Sequence, residues 1–559
     1  MGVRICNLVP VRFSPPSSRA ACGVLCHFPR KRGKLWCIRK RRHAMSNPPW
    51  WRGAVVYHIY VRSFFDTNGD GHGDLAGVRA KLDYIQSLGV DAIWLSPIHP
   101  SPNRDWGYDI SDYEAVHPDY GTLEDLQALI ADAHGRGLKI MMDEVLAHTS
   151  DEHPWFAESR DGGPNGPKAD WYVWADPAPD GTAPNNWLSV FGGPAWAYQP
   201  ARRQHYHHKF LRQQPKLSWE NPDAKEAASR VLDYWLDKGI DGFRLDVAGC
   251  FLHDTNLTPN PAVPLAERTA YNWSHAGEMQ VHLNDSNLPA NIPLLGEIRR
   301  RVDGHNDRAG AGERFVFGEF SEEEERCGAY CSPQDGLHSA YTFVLLHARK
   351  LAPQVFREHF ETLARHPDHW PCISFCNHDI ARTVSRFGNT PDIAKLMFTL
   401  LLTLKGTTLI YQGEELGLPQ AEHLTREQLR DPVGDLYWPI SKGRDGCRTP
   451  MPWSEDQNLG FSTAAKPWLP LAAEHTGISV ASQESDRGSM LAFSRAMIAR
   501  RKASPALTFG EIEMLEAPEP ILAFTRTLGN EQVLCLFNMG PEPMTYADRE
   551  LGPYAVLIV

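Results

Sequence analysis

The run Asp241-Gly-Phe-Arg-Leu-Asp-Val-Ala248 places Arg244 and Asp246 two positions apart within an apolar strand pattern of Phe243, Leu245 and Val247. Side chains alternate between faces along a strand, so these two point the same way. An ionised carboxylate in apolar surroundings is costly unless something pairs with it. The arginine keeps Asp246 charged, which suits a nucleophile. Other apolar runs end in the same manner: Asp143 and His148 follow one, Glu319 ends a second, and His378 with Asp379 end a third. Any one of these is an ordinary strand-end group. Four carboxylates, two histidines and an arginine at successive strand ends suit cleavage of a glycosidic bond. One carboxylate attacks, one acid protonates the leaving oxygen, and others hold hydroxyls.

The elements that must position these groups are parallel βα units. Buried-strand patterns cover 54–61, 92–97, 138–146, 242–248, 315–319, a stretch near 341–346, 373–379 and 408–414, with helical spacing at 75–88 and 122–136 between the first of them. Eight such units make a (β/α)8 barrel of the α/β class, whose chemistry sits at the C-terminal ends of its strands. The rhythm breaks over 149–216, where Trp, Pro, Gly and Asn dominate, as expected of an inserted loop-rich domain on the catalytic face. Short alternating runs after the last helix predict a C-terminal antiparallel β-sandwich domain. The domains so read are a disordered basic extension (1–49), the catalytic barrel (50–148 and 217–503), the inserted domain (149–216) and the β domain (504–559).

Just after the first strand, Asp66-Thr-Asn-Gly-Asp-Gly-His-Gly-Asp74 sets oxygen-bearing side chains at 66, 68, 70 and 74 with glycines between them. Such a loop can wrap a hard cation, Ca²⁺ or Mg²⁺. Gly77 stands where an EF-hand needs its glutamate, so the loop is an isolated structural metal site.

The net charge of −11 argues against nucleic acid as a partner, and no run of 18 apolar residues predicts a membrane span. The eleven cysteines form no paired framework, which points to a reducing, cytoplasmic setting. Residues 1–44 hold eleven Lys or Arg and no acid, and read as an extension ahead of the folded chain. A monomer or homodimer acting on a small molecule is expected.

The stretches Asp143–His148, Gly242–Val247, Phe317–Phe320 and Phe375–Arg382 resemble the four signature regions of the α-amylase superfamily of glycoside hydrolases. Asp105-Trp-Gly-Tyr-Asp109, Gln214-Pro-Lys-Leu217, Tyr411-Gln-Gly-Glu-Glu415 and Arg444-Asp-Gly-Cys-Arg-Thr-Pro-Met-Pro-Trp453 resemble its α-glucosidase and oligo-1,6-glucosidase branch. The similarity runs over about residues 50–559.

The resemblance implies a retaining exo-α-glucosidase releasing α-glucose from short α-glucosides. It makes Asp246 the nucleophile, Glu319 the general acid and base, and Asp379 the grip on the 2- and 3-hydroxyls. Arg244 orients Asp246, His148 and His378 bond glucose hydroxyls, Tyr108 stacks on the ring and Phe191 walls the pocket. Asp105 caps the 4-hydroxyl in partnership with an arginine, for which Arg448 is the expected choice. Asp66, Asn68, Asp70, Asp74 and the carbonyl of His72 match the branch's metal site. Ala147 stands where the family usually has asparagine, which removes support for an amylase-type calcium site. Ser218-Trp219 and Lys216 are further departures. Val247, following the nucleophile, is associated in this family with α-1,6 linkages, so oligo-1,6-glucosidase is the alternative, and transglucosylation shares the same intermediate. A non-catalytic, glucosidase-like interaction protein is a distant alternative, because such proteins lose the carboxylates that this chain keeps.

Overall fold

The computed structural model describes residues 48–269, 275–306, 312–320, 324–332 and 335–559, and residues 49–559 form one compact unit. The basic extension expected over 1–49 lies outside the described residues, apart from its last two.

Eight parallel strands form one nearly closed sheet: β1 (Val55–Ile59), β2 (Ala92–Leu95), β3 (Lys139–Glu144), β7 (Gly242–Leu245), β8 (Phe315–Phe320), β9 (Ser339–Thr342), β10 (Cys372–Ile373) and β11 (Thr407–Tyr411). They are ordered β10-β11-β1-β2-β3-β7-β8-β9. Three short strands, β4 (Trp174–Ala175), β5 (Trp196–Gln199) and β6 (Gln204–His207), belong to the insertion and pair antiparallel in the order β4-β6-β5.

The pleat sorts the barrel side chains into two layers. Tyr57, Ile93, Ile140, Phe243 and Val316 pack outward into the core beneath the helices. Val56, Trp94, Met141, Phe315 and Phe317 fill the interior. The next interior positions towards the strand C-termini are Asp143 on β3, Arg244 on β7 and Glu319 on β8, so the polar groups continue the inner rows where the packing ends.

Local chemistry builds the crossovers. The helix Leu123–Gly135 starts with a capping box between Thr122 and Asp125. In Pro222–Asp237, Asn221 accepts from the amides of Asp223 and Ala224, and Ala228, Val231, Leu232 and Trp235 bury one stripe against the sheet. Gly242 is required where β7 meets β8, since a Cβ there would stand 2.1 Å from the Phe315 carbonyl oxygen.

Two strands differ from expectation. The sixth is Ser339–Thr342, and the apolar residues Phe343–Leu346 turn helical instead. The seventh is only Cys372–Ile373. Between these two the ladder is replaced by a side chain: Ser339 Oγ donates to the Trp370 carbonyl at 2.6 Å.

The chain ends in the antiparallel sheet β12 (Glu511–Leu515), β13 (Ile521–Leu528), β14 (Glu531–Asn538) and β17 (Val556–Ile558). The hairpin β15 (Met544–Tyr546) and β16 (Arg549–Leu551) covers it, with Ile521, Ala523, Leu536 and Leu551 in one apolar cluster.

Candidate active site

Arg244 is fully buried and joins three strands. Its Nη1 donates to Asp143 Oδ1 at 2.6 Å and Asp246 Oδ1 at 2.8 Å, and its Nη2 lies 2.5 Å from Glu319 Oε1. A guanidinium's fork of donors makes such a three-way junction possible, whereas an ammonium lacks the planar geometry. One positive charge faces three carboxyls. Burial pushes Asp143 up to about 7, with Arg244 opposing and Glu319 adding to the rise. Burial likewise lifts Asp246 well above the ordinary carboxylate range, Arg244 opposes it, and Glu319, Asp143 and Asp379 add to it. Burial thus outweighs the arginine at Asp246, which corrects the expectation that Arg244 alone keeps this carboxyl charged. A double displacement needs a carboxylate and a carboxylic acid side by side, and Asp246 and Glu319 share the guanidinium of Arg244.

Asp246 stands one residue past β7, and its amide donates to the Glu144 carbonyl at 2.9 Å. Val247 then adopts φ 39° and ψ 48°, a left-handed conformation that β-branched residues rarely take. That turn brings the Val247 amide to 3.3 Å from Glu319 Oε2.

Asp379 faces the group from β10's end of the barrel. Arg448 Nη2 donates to its Oδ1 at 2.8 Å, Arg444 Nη1 approaches at 3.3 Å, and His378 Nε2 lies 3.1 Å from its Oδ2. Burial works to raise this carboxyl, but Arg444, Arg448 and Arg244 outweigh it and hold it below its ordinary value. Its side chain keeps 22% exposure, more than Asp246 or Glu319, so it meets the opening. Burial, with Arg448, Arg244 and Arg444 nearby, keeps His378 neutral, far below the usual imidazole range. Tyr108 Oη donates to Asp143 Oδ2 at 2.9 Å and sits 2.6 Å from His378 Nε2, with the two rings stacked. Because Asp143 takes the phenol proton, His378 Nε2–H donates to the Tyr108 oxygen.

Asp109 shapes the loop that carries Asp105 and Tyr108, accepting from the Ser101 hydroxyl and from the amides of Arg104 and Asp105. His148 Nε2 donates to the Tyr108 carbonyl at 2.9 Å, and burial depresses His148 to about 4. Gln214 ties these together: its Nε2 donates to Asp105 Oδ2 at 3.1 Å and to the Tyr108 carbonyl at 3.0 Å. Phe191 lies under the guanidinium of Arg444, 5.3 Å from ring centre to Cζ.

One expectation is corrected. Asp105 pairs with Arg444, whose Nη2 is 2.6 Å from Asp105 Oδ1, while Arg448 turns to Asp379 and the His378 carbonyl. The cause is Asp431, buried, which grips Arg444 through Nε at 3.0 Å and Nη2 at 2.7 Å and aims it at Asp105. All ten residues expected in the site thus gather at one end of the barrel. Gln214, Tyr341, Asp431 and Arg444 join them without having been singled out for a role, and Asp143, expected among the strand-end acids, lies with them. Asp143 and Gln214 lay inside stretches read as motifs, whereas nothing local marks Asp431 or Tyr341.

The 66–74 loop is separate, and no hydrogen bond or ion pair joins its side chains to the Arg244 cluster. Asp66 accepts from the amides of Asn68, Gly69 and Gly71 and from the Ser462 hydroxyl. Asp70 accepts from the His72 amide and from Asn68 Nδ2. Asp74 caps the helix Leu75–Ala80 through the Gly77 amide and holds Thr67. The donors are all hard oxygens and fit Ca²⁺ or Mg²⁺ in type. Each carboxylate is nevertheless already engaged, and among the described residues no three His, Cys, Asp or Glu side chains converge as ligands.

The alpha-amylase catalytic-domain model matches residues 58–510. A probable alpha-glucosidase of Rhizobium meliloti (strain 1021) is 49% identical over 89% of this chain and 90% of its own length. The oligo-1,6-glucosidase of Parageobacillus thermoglucosidasius is 35% identical over 90% and 94%. The crystal structure of an alpha-glucosyl transfer enzyme, XgtA, superposes with a TM-score of 0.87 at 43% identity, covering 92% of this chain and 99% of that one.

Proposed function

Because the chain belongs to the alpha-amylase catalytic-domain family, we propose that it is a retaining, exo-acting α-glucosidase. The junction at Arg244 carries the reading: one buried guanidinium holds Asp143, Asp246 and Glu319 together, which supports a nucleophile beside a proton-bearing acid. Asp246 attacks the anomeric carbon of a bound α-glucoside while Glu319 protonates the departing oxygen. Water, or a sugar hydroxyl in transglucosylation, then attacks the glucosyl ester with Glu319 as base. Asp379, steadied by Arg448 and His378, grips two ring hydroxyls. Asp105 and Arg444 close the far end, and a closed end restricts cleavage to a terminal glucose. His148 and His378, both neutral, offer hydrogen bonds without adding charge. Release of 4-nitrophenol from its α-glucoside, with α-glucose as the first anomer by NMR, tests the reaction. Initial β-glucose would refute the double displacement.

Oligo-1,6-glucosidase is the second reading, favoured by Val247, whose strained turn places its side chain next to the nucleophile. The ratio of kcat/KM for maltose and isomaltose decides between the two. Val247→Thr adds a donor beside the leaving group and should raise that ratio roughly three- to tenfold, one hydrogen bond's worth.

Ca²⁺ or Mg²⁺ is proposed for Asp66, Asn68, Asp70, Asp74 and the His72 carbonyl, where it would brace the loop. A cytoplasmic setting is supported by the seven described cysteines, none of which lies in a disulfide. No described helix is long and apolar enough to cross a membrane.

A further inference from the structure

We propose that Tyr341 is a positioning residue that assigns the catalytic proton to one particular oxygen of Glu319; the inference rests on the glycosidase reading above. Tyr341 is buried on β9, in register with Glu319 on β8. Its hydroxyl lies 2.7 Å from Glu319 Oε1 and 3.2 Å from Arg244 Nη2. A guanidinium only donates, so Arg244 uses the phenol oxygen as an acceptor. The single phenol proton is then left for Glu319. Oε1 consequently accepts the Tyr341 Oη–H from β9 and lies 2.5 Å from the positive Arg244 Nη2 of β7, one on each side of β8.

An oxygen that accepts from a phenol and abuts a guanidinium nitrogen is a poor place for a proton of its own. When Glu319 is the acid, its proton must sit on Oε2, the oxygen that meets only the Val247 amide, at 3.3 Å. In the first step the C1–O bond breaks and its electron pair leaves with the glycosidic oxygen, which takes the Oε2 proton. The bond between C1 and an Asp246 carboxylate oxygen forms at the same time. Glu319 is left as a carboxylate whose charge at Oε1 faces the phenol proton and the guanidinium. In the second step Oε2 takes a proton from the attacking water as the ester to Asp246 breaks. Without the phenol hydroxyl, Oε1 competes for the proton, and part of the enzyme holds its O–H turned into the barrel, away from the substrate.

Tyr341→Phe keeps the ring in its place against Phe317 and Phe343 and removes only the hydroxyl. The experiment compares kcat and KM of the wild type, Tyr341→Phe and Glu319→Gln on two substrates. One is the disaccharide that the wild type turns over fastest, and the other is 2,4-dinitrophenyl α-glucoside, whose leaving group needs no proton. For Tyr341→Phe we expect kcat on the disaccharide to fall about tenfold with KM within about twofold, the scale of one hydrogen bond to a charged group. On the activated substrate kcat/KM should stay within about threefold. Replacing Tyr341 by 3-fluorotyrosine, which keeps the donor, should restore the disaccharide rate. Equal losses on both substrates, an unchanged disaccharide rate, or no restoration by fluorotyrosine each overturn the proposal. Glu319→Gln separates this from the underlying reading. A selective loss of the disaccharide there upholds Glu319 as the acid whatever Tyr341 does, and an equal loss on both substrates removes that assignment and the inference with it.

Discussion

Arg444 Nη2 lies 2.6 Å from Asp105 Oδ1 at the catalytic end of the barrel. Both side chains are nearly enclosed, and Arg444 is held from behind by Asp431. In the proposed function the pair meets a glucose in the ground state and the transition state alike, so it should contribute mostly to uniform binding. Arg444→Ala should raise KM for disaccharides roughly 10- to 100-fold, the scale of a charge-assisted hydrogen bond, with a smaller change in kcat. Arg444→Lys should rescue little, because one ammonium cannot reproduce the contacts to Asp105, Asp379 and Asp431. An unchanged KM in either variant would place the pocket's end elsewhere.

Sequence alone could not choose between Arg444 and Arg448. Four residues apart at the two ends of one short helical turn, they share a face and a reach. The choice is made by Asp431, a buried carboxylate from a different segment with no pattern to announce it. The barrel strands were more legible, because an apolar run ending in a charged residue is hard to place anywhere but at a strand's C-terminal end. Short runs were the exception. Phe343–Leu346 is as apolar as a strand and becomes a helix, and periodicity cannot separate the two at that length. Ser374-Phe-Cys376 leaves the sheet because Ser374 Oγ bonds the Cys376 carbonyl and Arg386 takes the Phe375 carbonyl, side-chain contacts that no local pattern encodes.

Asp246→Asn should abolish turnover while leaving the melting temperature near that of the wild type, because an amide cannot form the glucosyl ester. The Arg244 junction would lose one acceptor and keep Asp143 and Glu319. Residual rate on any α-glucoside above about one-thousandth of wild type would point to another nucleophile.

Acid should unfold the protein through its buried histidines. Burial depresses His148, His153, His208, His347 and His475 to about 4 and His369 to about 3. A histidine depressed in the fold contributes stability that is present above its unfolded value near 6.5 and lost as pH falls towards the folded value. Asp109, raised by burial to about 6, and Asp143 and Glu414, raised to about 7, act the other way and gain as they protonate. The depressed histidines, His58, His207 and His378 among them, outnumber the raised acids, Asp246 included, which leaves a net uptake of protons on unfolding between about pH 6.5 and 4. Calorimetry across that window should show the melting temperature dropping with each step down, and a flat profile would contradict the burial of these rings.

Removing divalent ions should lower the melting temperature and leave the rate of still-folded enzyme intact, since the 66–74 loop makes no contact with the acids. Readdition of Ca²⁺ should restore the melting temperature. An immediate loss of turnover on chelation, reversed by metal, would move the ion into the catalytic apparatus.

The seam between β9 and β10, bridged by the Ser339 hydroxyl and not by a ladder of amides, gives the barrel a preferred place to breathe. Where strands pair on both sides, a backbone amide can meet deuterium only when two neighbours separate together. At the seam β10 pairs only with β11, and the Ser339 hydroxyl that reaches the Trp370 carbonyl protects no amide. Amides of Cys372 and Ile373 should therefore exchange well before those of β1, β2 and β3, although all are equally buried. Asp379 and His378 follow the strand at that seam, so the group proposed to grip the sugar rides on the part of the barrel that should open first. Occupancy of the pocket should slow exchange there more than anywhere else in the sheet.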